Sequence, residues 1–207
     1  SITKLLAGTH TVEFEWEIRN SGKSAIDYIT GFQRICESVN PLKGLTGSYT
    51  PGTPFSIPAT TSNVLLNGIS QPATSFSSLS SAERTITPYN ATITNIAYTL
   101  QGNPSASNSA SRIKITFTIA KNNTIAVFAW GGHIASSSDW QSGNSATNIN
   151  GSPYHMSMVS FDGKSVGSQD RSCQVDATAV DDHEDCIIAG NATACIGSTS
   201  TLSLIHI

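Results

Sequence analysis

Charge is scarce in this chain. Asp, Glu, Lys and Arg make up 12% of its 207 residues, about half the share usual in globular proteins. The 11 Lys and Arg are scattered and the net charge is −3. No basic stripe is therefore available to neutralise phosphates, which argues against nucleic acid as a partner. No apolar run approaches the ~20 residues of a membrane-crossing helix, so no membrane span is expected. A CxxC pair is missing, and the Cys and His spacings fit no zinc pattern. The Gly-x-Ser-x-Gly match at Gly163–Gly167 is followed by no helical pattern, so the elbow of a serine hydrolase is not expected there. No stretch offers a long amphipathic helix. The first residue is Ser1 and not an initiator Met, so the natural start is expected elsewhere and an export signal is expected to lie outside the sequence.

Ser, Thr, Asn and Gly fill the space that charge leaves. Thr suits strands, while Ser, Asn and Gly suit turns, a mixture typical of β-proteins working outside cells. The four cysteines, Cys36, Cys173, Cys186 and Cys195, are even in number. In a low-charge extracellular-type chain this favours disulfides over metal. Three pairings exist. Cys186–Cys195 is preferred, because its short interval closes a hairpin or local loop; Cys36–Cys173 would then clamp distant segments. Four free buried thiols are the alternative.

Strand patterns dominate. In residues 11–18, Val12, Phe14, Trp16 and Ile18 share one face and Glu13, Glu15 and Glu17 the other, the period of a half-buried strand. Asn20-Ser21-Gly22-Lys23 turns the chain. Residues 24–35, with Ile26, Ile29 and Phe32 at helical spacing, predict a short helix or an irregular segment. Residues 40–58 form a long loop, and 59–82 are weakly patterned with one helical turn near 80–84. Residues 91–100, 112–120, 154–161 and 174–180 read as strands. Residues 124–130 are apolar on both faces and predict a central strand. The expected architecture is all-β: an antiparallel β-sandwich, immunoglobulin-like or jelly-roll-like, with long loops. Phe14, Trp16, Ile115, Phe117, Val127 and Phe128 are expected in its core.

Several segments together resemble a repeat-type β domain of very large secreted or cell-surface proteins of Bacteroidota-like bacteria. The matching residues are Ala7-Gly8-Thr9-His10-Thr11-Val12 with Glu15-Trp16, and Ala25-Ile26-Asp27-Tyr28-Ile29-Thr30. They continue with Ala129-Trp130-Gly131-Gly132-His133-Ile134-Ala135, Asp139-Trp140, Gly151-Ser152-Pro153-Tyr154-His155-Met156 and Gln169-Asp170-Arg171-Ser172. The likeness covers residues 1–180 and implies an extracellular or cell-surface location in a longer polypeptide. It implies a sandwich domain over 1–180 whose first strand begins before Ser1. Residues 181–207 would be an acidic linker and the start of a following repeat or a terminal strand. The ending Leu202-Ser203-Leu204-Ile205-His206-Ile207 coincides with the translation of a transposon-type sequencing adapter, which marks it as an assembly artefact; a genuine terminal strand is the alternative.

Few residues promise chemistry. Glu13, Glu15 and Glu17 lie about 6–7 Å apart along a strand, overlapping glycosidase carboxylate spacings, but a solvated strand face explains them. His133, Asp139, Trp140, His155, Asp170 and Arg171 gather in one region; the expectation is that His133, His155 and Asp170 tie loops to backbone groups. Calcium is the functional rival, with Asp139, Asp170, Asp181, Asp182 and Glu184 as candidate ligands. Trp140 and Tyr154 are candidates for contact with a glycan. Asn90, Asn122, Asn150 and Asn191 begin glycosylation sequons. These observations point to a non-enzymatic structural subunit of a surface fibre or filament, assembled by β-strand addition to copies of itself or to neighbouring repeats. A carbohydrate-binding or adhesin domain is the alternative, and a hydrolase ranks third.

Overall fold

The computed structural model describes residues 2–32, 40–149, 154–173, 186–189, 192–195 and 202–203. Cys36, Asn150, Asp181, Asp182, Glu184, Asn191 and the strand expected at 174–180 lie outside them.

The strands follow in order as β1 (Ile2–Leu5), β2 (Gly8–Asn20), β3 (Lys23–Ser24), β4 (Ile26–Thr30), β5 (Phe55–Ser56), β6 (Val64–Leu66) and β7 (Ile69–Gln71). Helix α1 (Ala73–Ser78) and a 3-10 turn at Ser81–Glu83 come next. Then follow β8 (Thr85–Tyr89), β9 (Thr92–Leu100), β10 (Ser109–Ile119), β11 (Thr124–Ala129), β12 (Gly131–Ile134) and the short helix α2 (Ser137–Trp140). The remaining strands are β13 (Tyr154–Phe161), β14 (Lys164–Cys173), β15 (Cys186–Ala189), β16 (Ala192–Cys195) and β17 (Leu202–Ser203).

All the pairings are antiparallel, and the fold is all-β and sandwich-like. A six-stranded sheet carries the path β14-β13-β2-β10-β9, with β3 paired to β2. A second sheet runs β1-β11-β8-β5, and a third β17-β12-β4. Alternation along β2 and β10 sends Val12, Phe14, Trp16, Ile113, Ile115 and Phe117 inward, each 5% exposed or less. Ring contacts join the layers: Phe14 meets Trp130 at 4.6 Å between centroids, and Phe117 meets Phe128 edge-on at 4.8 Å. Val127 is 3% and Phe128 6% exposed, so both faces of β11 are covered, as its two-sided apolarity predicts.

Residues 24–35 correct the sequence reading. Ile26–Thr30 is a strand, β4, with all five residues buried, pairing with β12 from Ile26↔Ile134 to Thr30↔Gly131. A strand buried on both faces shows no alternation, so its apolar residues fell by coincidence at helical spacing. Further elements went unpredicted, among them β8, β14 and the β6–β7 hairpin. Pro88 disguises β8, because proline argues against strand interiors, yet Pro88 pairs with Phe128. β14 has Val166 as its one branched apolar side chain, so no alternation announces it. The β6–β7 hairpin turns at Asn67 and Gly68, both at positive φ, and that Asn-Gly dipeptide was an available signal. The turn expected near 80–84 is present, closed by Ser80 and Glu83 in a reciprocal capping box.

His10 pins the β13–β14 hairpin to β2. Its Nδ1 lies 2.8 Å from Asp162 Oδ2, while Asp162 Oδ1 accepts from Thr11 N at 2.8 Å. Burial, the largest influence on His10, favours the neutral ring, but the Asp162 hydrogen bond, the Leu6 carbonyl and the Asp162 charge outweigh it and raise its pKa above 6.5. A raised histidine contributes its stability fully below the unfolded value and loses it as pH rises through the folded one. The wild-type urea midpoint is therefore expected to fall from about pH 6 to about pH 8 more than that of Asp162→Asn. Parallel pH profiles for the two proteins would contradict this.

Candidate functional site

The glutamate row on the outer face of β2 is spent on its neighbours. Glu15 accepts from Arg112, its cross-strand partner, at 2.7 Å. Glu13 accepts from Ser160 Oγ at 2.6 Å and lies 3.9 Å from Lys114. The Ser160 hydrogen bond, outweighing partial burial, holds the Glu13 carboxyl below its usual range, with help from Thr99, Lys114 and Arg112. Glu17 accepts from Asn20 Nδ2 at 3.1 Å. These residues are half-buried and cross-linked, whereas a solvated face was expected.

The densest polar cluster sits between β4, β12 and α2. Tyr28 and His133 face each other across the β4–β12 pairing, and their rings stack at 4.3 Å, 7° apart. One residue earlier, Asp27 reaches His133: Nδ1 donates to Asp27 Oδ1 at 2.7 Å. The other carboxylate oxygen accepts from Trp140 Nε1 at 2.8 Å. Asp27 is 5% exposed, and His133 and Trp140 are 2% each. Asp139 completes the group, its backbone N–H donating to Ser136 Oγ to cap α2, and its Oδ1 accepting from Gln71 Nε2 at 3.4 Å. Gln71 is itself oriented by Ser75, whose backbone N–H and hydroxyl both donate to its Oε1.

Two chemical uses of this cluster can be weighed. Asp27, His133 and Asp139 offer ligand atoms within 4.8 Å of one another, close enough for a shared cation. However, both Asp27 oxygens already accept hydrogen bonds, and Gln71 turns its N–H, not its carbonyl, towards Asp139. A cation would compete with these protein donors for the same carboxylates. Acid–base chemistry needs access for a substrate. The cavity beside Asp27 and Trp140, shared with Tyr98 and Pro72, measures about 10 Å³, room for about one water. Burial pushes the Tyr98 hydroxyl far up. The cluster is a clamp: it fastens the 135–149 loop to the sheet through β4.

Burial also raises the Asp139 pKa, and the nearby Asp27 charge adds to this, against the opposing effects of His133, Ser136 and Gln71. An acid with a raised folded pKa penalises the native state above that value, and the penalty disappears as pH falls to its ordinary 3.8. Asp139→Asn keeps an acceptor for Gln71 and removes the charge. It is expected to raise the urea midpoint near neutral pH, with the gain shrinking on acidification; a lower midpoint at neutral pH would overturn the assignment.

Other expected site residues are placed as follows. Trp140 and Tyr154, expected to meet a glycan, are buried instead, at 2% and 5% exposure. Trp140 is held by Asp27, and the Tyr154 hydroxyl donates to the Ala146 carbonyl at 3.0 Å. His133 binds a carboxylate and not a backbone group. His155 is half-buried in β13, opposite Ser172, and Asp170 pairs with Ser157 across β13–β14. Asn90 is a poor glycan acceptor, because its Nδ2 donates to the Ser48 and Ile125 carbonyls. Asn122 is exposed, its Oδ1 accepting from Ala7 N at 2.8 Å. Cys186 and Cys195 are directly opposed in the β15–β16 register. Sequence reasoning missed Asp27 and Gln71, since Asp27 lies far along the chain from His133 and Trp140, and Gln71 far from Asp139.

Among the described residues no helix is long and apolar enough to cross a membrane. The chain matches no family model, no curated protein and no solved structure.

Proposed function

We propose that this chain is a non-catalytic structural module of an extracellular assembly and that it joins neighbours by strand addition. One observation carries this reading: β9 (Thr92–Leu100) ends its sheet, paired with β10 along one edge and, among the described residues, with no strand along the other. An unpaired strand edge is a template for an added strand. The polar cluster supports the non-catalytic part, since its groups are committed to each other and closed to substrate. The Ser/Thr/Asn-rich composition and the likeness to secreted surface domains support the compartment.

The cysteine register supports the same compartment. Ala189 pairs with Ala192 across a two-residue connection. In such hairpins the closing pair is hydrogen-bonded and the pairs then alternate, so Cys186 and Cys195 form a non-hydrogen-bonded pair. That places their Cα atoms about 4.5 Å apart, within disulfide range. A disulfide closing this small loop would contribute about 2–3 kcal/mol. Non-reducing peptide mapping is expected to recover the Cys186–Cys195 peptide, and free thiols at both positions would remove this support.

The assembly is tested by electron microscopy and sedimentation of the purified chain in low salt and in high salt. The candidate donor strand is the stretch 193–207, which has no Asp, Glu, Lys or Arg, is rich in Ser and Thr and ends in spaced apolar residues. Salt-resistant polymers are expected, shortened or abolished by a synthetic peptide of these residues in excess. A chain that stays monomeric, or polymers indifferent to that peptide and to deletion of 193–207, would overturn strand addition.

A further inference from the structure

A groove of about 830 Å³ opens at the Thr92 end of β9, between the loop carrying Tyr49, the Asn90 turn and the β10–β11 turn. The Asp27 clamp lies by Tyr98, towards the other end of β9. We propose that this groove binds a neutral glycan, a function independent of strand addition.

Its size falls in the range of small-ligand sites, about 300–1,000 Å³. Its lining is chemically selective. Thr50, Thr118, Thr124 and Asn123 supply hydroxyl and amide groups, Tyr49 supplies the aromatic ring, and Lys121 is the one charged side chain among the lining residues. A polyanion would call for several cations. This wall instead mixes hydroxyl and amide groups with Ala91, Ile119, Ala120 and Ile125, which suits a ligand having both polar edges and C–H faces. A sugar needs what is here: many neutral donors and acceptors for its hydroxyls, and an amphipathic ring on which its C–H face can pack. No carboxylate lines the groove, so the pair that would hydrolyse a glycosidic bond is missing from it. Such a site holds a glycan without cutting it.

The groove is also built in advance. Asn90, at φ +54, exchanges backbone hydrogen bonding with the Tyr49 loop: its N–H donates to Thr50 O, and its Oδ1 accepts from Thr50 N, each at 2.9 Å. Its Nδ2 donates to Ser48 O at 3.1 Å and to Ile125 O at 3.2 Å, tying the loop to β11. Gly52 donates to Pro88 O at 2.8 Å, and a Cβ there would stand 2.8 Å from Ala91 O. The Tyr49 hydroxyl donates to Thr46 O at 3.1 Å, fixing its ring within the loop. A wall ordered before binding loses little entropy when the ligand arrives.

The test is affinity electrophoresis of the full chain in gels containing xylan, mannan, laminarin or glycol chitin, with alginate as an acidic control. Retardation by at least one neutral polysaccharide is expected. Tyr49→Ala should weaken it at least tenfold, and Ser48→Trp, which fills the groove from an exposed position, should abolish it. Leu65→Ser, on the exposed β6–β7 hairpin, should leave it unchanged. Folding of each variant is checked by its thermal transition, and Ser48→Trp decides if Tyr49→Ala does not fold. Retardation by no neutral polysaccharide, retardation by alginate only, or retardation that a folded groove variant leaves intact would overturn the proposal.

Discussion

Asp27→Ala is expected to lower the unfolding free energy by about 3–5 kcal/mol, the cost typical of removing one partner from a buried ionic cluster. The carboxylate is 5% exposed and accepts from two side chains that are 2% exposed each. Truncation leaves the buried His133 Nδ1–H and Trp140 Nε1–H without their acceptor. Each buried donor stranded in this way costs about 1–3 kcal/mol. Against a whole-domain stability of about 5–15 kcal/mol, that is a large fraction. Urea unfolding measures it, and amide exchange over residues 135–149 should rise in the same variant, because the clamp holds that loop. Asp27→Asn keeps one acceptor and should lose less. A loss below about 1 kcal/mol in Asp27→Ala would mean that the loop is held by other contacts.

Phe117→Ala should cost about 3–5 kcal/mol as well, through a different mechanism. Phe117 is 0% exposed and lies edge-on to Phe128 across the two layers, with His10 beside it at 5.7 Å. Removing the ring forfeits its transfer energy and leaves a void that the opposed sheets cannot close without breaking their own pairings. The urea midpoint should drop with an unchanged slope, since the surface exposed on unfolding is nearly the same. A small loss would show that the layers are not packed through this ring. The two variants together distinguish what anchors the loop from what joins the sheets.

Phe117 and Asp27 also mark how far the sequence alone could be read. Alternating apolar residues along β2 and β10, and the two-sided apolarity of β11, follow from a local rule: the side-chain period of a strand is two. Such periodicity needs no knowledge of partners, so the all-β class and the core residues Phe14, Trp16, Ile115, Phe117, Val127 and Phe128 were legible. Where the local signal was absent or contrary, the reading failed. β4 is buried on both faces and shows no alternation, and β8 contains Pro88. The site was less legible still. His133, Asp139 and Trp140 stood out by residue type, but Asp27 lies 106 positions from His133 and 113 from Trp140. Composition made Trp140 a candidate for ligand contact; the tertiary structure buried it against that distant carboxylate. The groove at Tyr49 likewise joins the 46–52 loop to residues near 90 and 120, a juxtaposition that arises only when β8, β9, β10 and β11 pair. Periodicity is written in neighbouring residues, whereas hydrogen-bond partners and concave surfaces depend on which strands meet, and tertiary packing decided that.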